Sequence, residues 1–340
     1  MGDGMSVTIK QVAQKAGVSV ATVSKAINDS AEIPQETKDK VKRVIDELCY
    51  VPNKNARELK TKKTRNIIFI GRFEEGDAFE KPHIFEILCA CARVTEQKGY
   101  SFELVNLRGD NTSKIEHIIG EKNACGLIIH ASSLSKKLAR VLERNDVPHV
   151  VIGYPTYGNT LCWVDNDNKL SGAFAAKHLV DIGKRHIAFI GGEKYDAISE
   201  ARLVGAGDYL KSVGLSLDSG LCLRGQPTKE DGEYMTGKLL KSGKAVDGII
   251  CANNGIALGA ISCLVGAGVV VPDDIAVISF DKYPYSQITN PPLTVVDINV
   301  YDLGIQAAAM LINKIKKPEL HFALYSTLSR VIVRGSTVKQ

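Results

Sequence analysis

The sequence predicts an α/β protein in two parts, a small N-terminal head of three helices and a larger core of mostly parallel sheets in two similar lobes. Three observations carry this. Residues 8–48 place apolar side chains at helical spacing, with caps and a glycine between the repeats. From residue 66 short apolar runs alternate with amphipathic stretches, as strands and helices do in a parallel sheet. The net charge of +5 lies entirely in residues 1–65, which hold 13 Lys and Arg against 8 Asp and Glu; the other 275 residues balance at 30 against 30.

In the head, Thr8 followed by Gln11 fits a capping box, and Ile9, Val12, Ala13 and Ala16 continue at helical intervals to a stop at Gly17. Ser19 is placed to cap a second helix with Val23, Ala26 and Ile27 on its apolar side, leaving Val20, Ala21, Ser24 and Lys25 toward solvent. Two short helices joined by a tight turn read as a helix-turn-helix, whose second helix can enter a major groove. A positive surplus confined to that region suits a phosphate-facing surface. Pro34 begins a third helix with Val41, Val44, Ile45 and Leu48 inward, enough for a small shared core. Tyr50-Val-Pro-Asn53 breaks the pattern. A possible short helix over 55–60 follows, then the basic run Lys60-Thr-Lys-Lys-Thr-Arg65. Six residues are marginal as an isolated helix, so this one is expected to form only against a partner surface.

In the core, strands are expected over 66–71, 101–106, 126–130, 149–153, 186–191, 220–223, 248–252, 275–280 and 293–296. Helices are expected over 84–98, 134–145, 171–182, 201–213, 234–242, 256–267 and 300–316. Nine strands exceed what one compact half needs, hence two lobes with the segment after Pro291 returning to complete them.

Several function classes are disfavoured. No apolar run approaches 18 residues and the N-terminus carries no signal-like pattern, so a cytoplasmic protein with no membrane partner is expected. The eight cysteines form no Cys-x-x-Cys pair and are expected as reduced, buried thiols, with Cys89 and Cys91 on different faces of one helix. Gly191-Gly192 lacks the continuation of a nucleotide-binding turn, and there is no Gly-x-Ser-x-Gly elbow or His-Glu-x-x-His pair. The seven histidines show no ligand spacing, so no metal or cofactor is expected. His83 alone is kept as a pocket candidate.

Residues Thr8 to Ser24, then Tyr50-Val-Pro-Asn53, Ala56-Arg-Glu-Leu59, Val164-Asp-Asn166, His186-Ile-Ala-Phe-Ile-Gly-Gly192, Ala252-Asn253, Val271-Pro-Asp-Asp274, Ile278-Ser-Phe-Asp281 and Val333-Arg-Gly-Ser336 together resemble the lactose repressor/galactose repressor (LacI/GalR) family of bacterial transcription regulators. The resemblance runs from Thr8 to Thr337. It implies a head over 7–53, a hinge helix and linker over 54–65, and a periplasmic-binding-protein-like core over 66–340. The N-lobe would comprise about 66–163 plus 292–324, and the C-lobe about 164–291 plus 325–338. It further implies a homodimer on palindromic operator DNA, with a small-molecule effector, a sugar or sugar derivative, held between the lobes. The regulated genes would be a carbohydrate transport or catabolism operon.

The resemblance also assigns residues. Val20, Ala21 and Lys25 would face base edges, while Thr8, Ser19, Thr22, Ser24 and Asn28 would support or contact phosphates. Lys25 replaces an arginine often found there and lacks its planar fork, so looser discrimination is expected at its base pair. Leu59 would wedge into the minor groove with Ala56 one turn earlier, paying unstacking energy for a bent duplex. In the cleft, His83, Phe85, Asp165, Arg202, Asn253, Asn254 and Asp281 are the effector candidates. His83-Ile84 stands where relatives often carry an aromatic pair, Pro227 where an aromatic commonly stacks, and Asn254 where aspartate is frequent. These departures argue against a standard pyranose and leave a phosphorylated or acidic sugar, or a partner protein, open. A DNA-binding regulator whose core no longer binds a sugar is the alternative reading.

Overall fold

The computed structural model describes residues 7–27, 29–50, 64–76, 82–109, 111–157, 160–193, 196–319 and 324–338. The chain divides into two compact units, Met1–Thr64 and Arg65–Gln340, each with its own core.

In the first unit, helices α1 (Ile9–Ala16), α2 (Val20–Ile27) and α3 (Gln35–Glu47) surround Val12, Ala13, Ala16, Val23, Val41, Val44 and Tyr50. The capping box forms as read: the Thr8 hydroxyl accepts from Gln11 N–H, and Thr8 N–H donates to Gln11 Oε1 at 2.7 Å. Gly17 ends α1 at φ 62°, a left-handed conformation that costs glycine nothing. Two residues on, Ser19 Oγ accepts from Thr22 N–H at 3.0 Å, so the turn is fixed by one cap on each side. Pro34 is the cap residue before α3 rather than its first helical residue.

The second unit contains two six-stranded sheets. The first, in the order β11-β5-β4-β3-β1-β2, is built from β1 (Asn66–Gly71), β2 (Ser101–Asn106), β3 (Gly126–His130), β4 (His149–Ile152), β5 (Trp163–Asn166) and β11 (Leu324–Thr327). The second, β12-β10-β9-β8-β6-β7, is built from β6 (Ile187–Gly191), β7 (Cys222–Arg224), β8 (Gly248–Cys251), β9 (Ala276–Phe280), β10 (Thr294–Asp297) and β12 (Arg330–Ile332). Every pairing is parallel except β10 with β12. Helices α4 (Pro82–Gln97), α5 (Thr112–Gly120), α6 (Lys136–Asn145) and α12 (Val300–Lys316) pack on the first sheet. The second carries α7 (Asn168–Asp181), α8 (Ala197–Ser212), α9 (Lys229–Lys241), α10 (Asn254–Gly266) and the single turn α11 (Tyr285–Ile288). Each sheet has an apolar cluster on both faces, which is why its central strands read as unbroken apolar runs.

Sheet membership corrects the expected lobe bounds. Strand β5 belongs to the first sheet although 164 onward was assigned to the second lobe, β10 belongs to the second although 292–324 was assigned to the first, and β11 belongs to the first although 325–338 was assigned to the second. The chain therefore crosses between sheets at β5 to α7, at β10 to α12, and at β11 to β12. Three strands, β5, β11 and β12, go beyond the expected set: they are short and mix polar with apolar residues, unlike the equally short but mostly apolar β4 and β8. Helix α5, which buries only Thr112 and Ile115, fills the gap between β2 and β3, as helices are expected to do between successive strands. The cysteine expectation is corrected in two places: Cys49 and Cys89 are exposed. Cys49 is a turn residue at φ 48° beyond α3, and Cys89 lies on the outer face of α4, two residues from buried Cys91.

Candidate nucleic-acid interface and interlobe cleft

In the head, the cap at Ser19 orients α2 so that buried Val23 faces α1 and α3 while Val20 (41% exposed), Ala21 and Lys25 face outward. Ser24 and Thr22 are half-buried, and the Thr22 hydroxyl lies 2.8 Å from that of Ser19. Thr8 is committed to the capping box at the start of α1. Lys25 forms an ion pair with Glu32, seven residues on, a partner that sequence spacing did not suggest. Lys38 pairs with Asp29 at 2.6 Å in the same way. Asn28, Ala56 and Leu59 lie outside the described residues.

In the core, Asp165 lies at the first crossover between sheets, and Arg202 is joined to it through Asn168. Arg202, on α8, is buried; its Nη1 donates to the Ala252 carbonyl at 2.6 Å, its Nε to Asn168 Oδ1 at 3.2 Å, and its guanidinium stacks 4.0 Å over the Phe280 ring. Asp165, the last residue but one of β5, is a buried carboxylate that accepts from Asn166 N–H at 2.8 Å and from Asn168 Nδ2 at 3.3 Å. Burial raises its pKa to about 6, an effect only partly offset by these bonds and by Arg202. Asp281, one residue past β9 at φ 71°, is likewise pushed up to about 6 by burial, against the pull of Arg202. Its Oδ1 has no hydrogen-bond partner among the described residues, nor has Oδ1 of buried Asn254, whose Nδ2 donates to the Asp281 carbonyl at 2.9 Å. Asn253 caps α10, its Oδ1 accepting from Ile256 N–H at 2.9 Å.

His83, in the first turn of α4, stacks against Tyr283 from the other lobe at 6.3 Å between centroids and lies 6.2 Å from the His130 ring. Phe85 is not brought into this group: it is 61% exposed, because a residue two positions from His83 turns about 200° around the helix. Glu86, three positions on from His83, is itself exposed but reaches the rim between the lobes. With Asp281, Lys282, Tyr283, Asp297 and Asn299 it lines a cavity of about 40 Å³ between the lobes. A larger groove, about 300 Å³, lies along α7 and α8 and touches none of the sequence candidates. Sequence reasoning passed over Glu86, Asn168, Tyr283 and Asp297. Only Asn168 carried a visible signal, as the end of the polar run Asp165-Asn-Asp-Asn168.

Comparison with known proteins places both units in a family. The profile described as "Bacterial regulatory proteins, lacI family" matches residues 8–53, and "Periplasmic binding protein-like domain" matches residues 176–337. The HTH-type transcriptional repressor PurR of Histophilus somni (strain 129Pt) is 30% identical over 333 residues, covering 97% of this chain and 98% of that protein. The chain belongs to the LacI/GalR family. It is accordingly a DNA-binding transcriptional repressor of that family and not an enzyme. PurR of Haemophilus influenzae (strain ATCC 51907 / DSM 11121 / KW20 / Rd) is similar to the same degree, 30% over 335 residues and 98% of its length. Among solved structures, a complex of the transcriptional regulator CelR with cellobiose aligns at a TM-score of 0.73 and 27% identity over 97% of this chain and 99% of that one. The lac repressor dimer bound to operator and the anti-inducer ONPF aligns at 0.78 over 98% and 99%, and at 24% identity it supports the family fold. No helix among the described residues is long and apolar enough to cross a membrane.

Proposed function

We propose that this LacI/GalR-family chain acts in the cytoplasm as a homodimer that represses a carbohydrate transport or catabolism operon. It would grip a palindromic operator through α2 and answer to a small-molecule effector held between the two core lobes. The observation that carries the effector class is the pair of buried, unpartnered acceptors, Asp281 Oδ1 and Asn254 Oδ1. A buried acceptor without a donor costs about 1–3 kcal/mol, which a ligand supplying hydroxyl donors recovers. Three carboxylates, Glu86, Asp281 and Asp297, share the interlobe cavity with one lysine, Lys282, which pairs with Asp297 at 3.3 Å, and the remaining acidic surplus disfavours an acidic or phosphorylated ligand. A neutral, hydroxyl-rich sugar or sugar derivative fits best, in keeping with the cellobiose held by the relative CelR.

In the head, Val20, Ala21 and Lys25 would read base edges while Thr8, Ser19, Thr22, Ser24 and Asn28 hold phosphates. Leu59, with Ala56, would open the minor groove at the dyad. Effector binding favours one lobe orientation only to the extent that it binds that orientation better, and so changes the fit of two heads to half-sites about one helical turn apart. The cavity lined by Glu86 and Asp281 holds about 40 Å³, far below the roughly 300 Å³ of a small-ligand pocket. A sugar needs more room than this cavity alone offers, and a parting of the lobes would supply it. That same small volume favours a second reading, a core that binds no sugar and answers to a partner protein.

Selection from random duplexes followed by salt-matched titration, with sedimentation at micromolar concentration, tests the DNA half. A monomer, or equal affinity for every duplex, refutes it. Thermal-shift screening against neutral sugars and sugar phosphates tests the effector half; a shift with neutral sugars supports it, and no shift with any sugar selects the second reading.

A further inference from the structure

We infer that Asn168 is a positioning residue that wires the cleft arginine, Arg202, to the crossovers joining the two lobes. Its carboxamide hydrogen-bonds to both. Asn168 Oδ1 accepts from Arg202 Nε at 3.2 Å and from Asn166 Nδ2 at 3.3 Å, while Asn168 Nδ2 donates to Asp165 Oδ2 at 3.3 Å. Asp165 and Asn166 end a strand of the first sheet, and Asn168 opens a helix that packs on the second, so these bonds straddle the first crossover. The chain of contacts continues from Asn166 Nδ2 to Ser171 Oγ at 3.1 Å, and from Ser171 Oγ to Ser329 Oγ at 2.6 Å. Ser329 lies between β11 and β12, the third crossover.

All six residues are buried, with exposures of 0–9%. With every member buried, breaking one bond leaves a polar group short of its protein partner, a cost that favours concerted movement of the network. An amide that accepts and donates at once is required at 168: an apolar residue loses every bond, and a carboxylate keeps the arginine and sets like charge against Asp165. A displacement of Arg202 is thereby converted into a change at two of the three segments about which the lobes turn, which is a physical route for coupling. That this coupling is driven by an effector rests on the function proposed above; the wiring itself does not.

The test uses the full chain without DNA or ligand. Hydrogen exchange at Arg202 Nε–H is followed by NMR on 15N-arginine protein. The interlobe distance distribution is measured between spin-labelled unnatural amino acids replacing exposed Lys114 and Lys241, which leaves the native cysteines untouched. Asn168→Leu should speed Arg202 Nε–H exchange by about tenfold or more and broaden the distance distribution. Asn168→Asp should retain the slow exchange and broaden the distribution. Ser329→Ala, which cannot touch the arginine, should broaden the distribution alone. The inference is overturned if Asn168→Leu leaves the exchange rate at the wild-type value, if Asn168→Asp exchanges as fast as Asn168→Leu, or if Ser329→Ala leaves the distribution unchanged. A chain that binds no sugar fails the effector screen and still passes these measurements, so the two failures are distinguishable.

Discussion

Glycine at 205 is what lets α8 approach α7, and replacing it by alanine should act against the usual preference of helices. A Cβ there would sit 1.7 Å from the Lys169 carbonyl oxygen and 2.6 Å from its carbon, and the reciprocal contact at Gly172 would place a Cβ 2.0 Å from the Arg202 carbonyl oxygen. Both obstacles are backbone, so no rotamer change relieves them and the helices must part by roughly 1 Å or more to reach ordinary contact. Overpacking of this kind costs about 1–3 kcal/mol and more when backbone moves, against a gain of at most about 1 kcal/mol from removing a helix glycine. A net loss of about 2 kcal/mol lowers the melting temperature of a domain this size by roughly 4–8 °C.

Gly207 is the control within the same helix. Nothing lies within 4 Å of its Cβ position, so Gly207→Ala should gain up to about 1 kcal/mol and raise the same transition by roughly 2–4 °C. Differential scanning calorimetry of the full chain reads both. Equal signs for the two substitutions, or an unchanged transition in Gly205→Ala, refute the reasoning. The consequence for function follows from position: Arg202 is one turn before Gly205 on α8, so Gly205→Ala should also weaken the response to any effector the cleft binds.

Ser19→Ala removes the cap of α2 and should cost the head about 1 kcal/mol while leaving the core transition in place; head amide shifts and melting followed by NMR check this, and an unmoved head counts against it. Leu59→Ala should weaken operator binding sharply in a salt-matched titration with the core still folded, and unchanged affinity defeats the minor-groove role. Asp165 and Asp281, each raised to about 6, hold protons in the folded state that the unfolded chain releases near pH 4, so their contribution is fully present below about pH 4 and is lost as pH rises through 6. Asp281→Asn should therefore gain stability relative to wild type between pH 4.5 and 7.5, by up to about 3 kcal/mol, in paired urea titrations; a difference independent of pH rules it out.

Local chemistry made much of the fold and the head legible. The Thr8–Gln11 capping box, the Gly17 stop and the Ser19 cap are contacts within a few residues, so their spacing along the chain is their geometry in space. The expected strands at 66–71 and 126–130 match the observed bounds because buried central strands are uniformly apolar, and 101–106 matches as an edge strand with Glu103 and Leu104 exposed. The crossovers were misplaced because β5, β11 and β12 owe their existence to pairing partners, not to their own composition. Trp163 to Asn166 is a strand because β4 and β11 flank it.

The sequence by itself determined the two-part architecture, the capped recognition helix, the confinement of positive charge to residues 1–65 and the family. All of these are read from neighbours on the chain or from totals along it. Only the tertiary structure decided that Glu86 and not Phe85 reaches the rim between the lobes, that Lys25 meets Glu32, and that Asn168 joins Arg202 to the crossovers. The first and last depend on which side of a helix faces the other lobe and on hydrogen bonds between residues as far apart as 34 and 158 positions, and the second on how the loop after α2 folds back over that helix. Short-range spacing carries no record of either, because burial and pairing are settled only when both lobes have folded around the same residues.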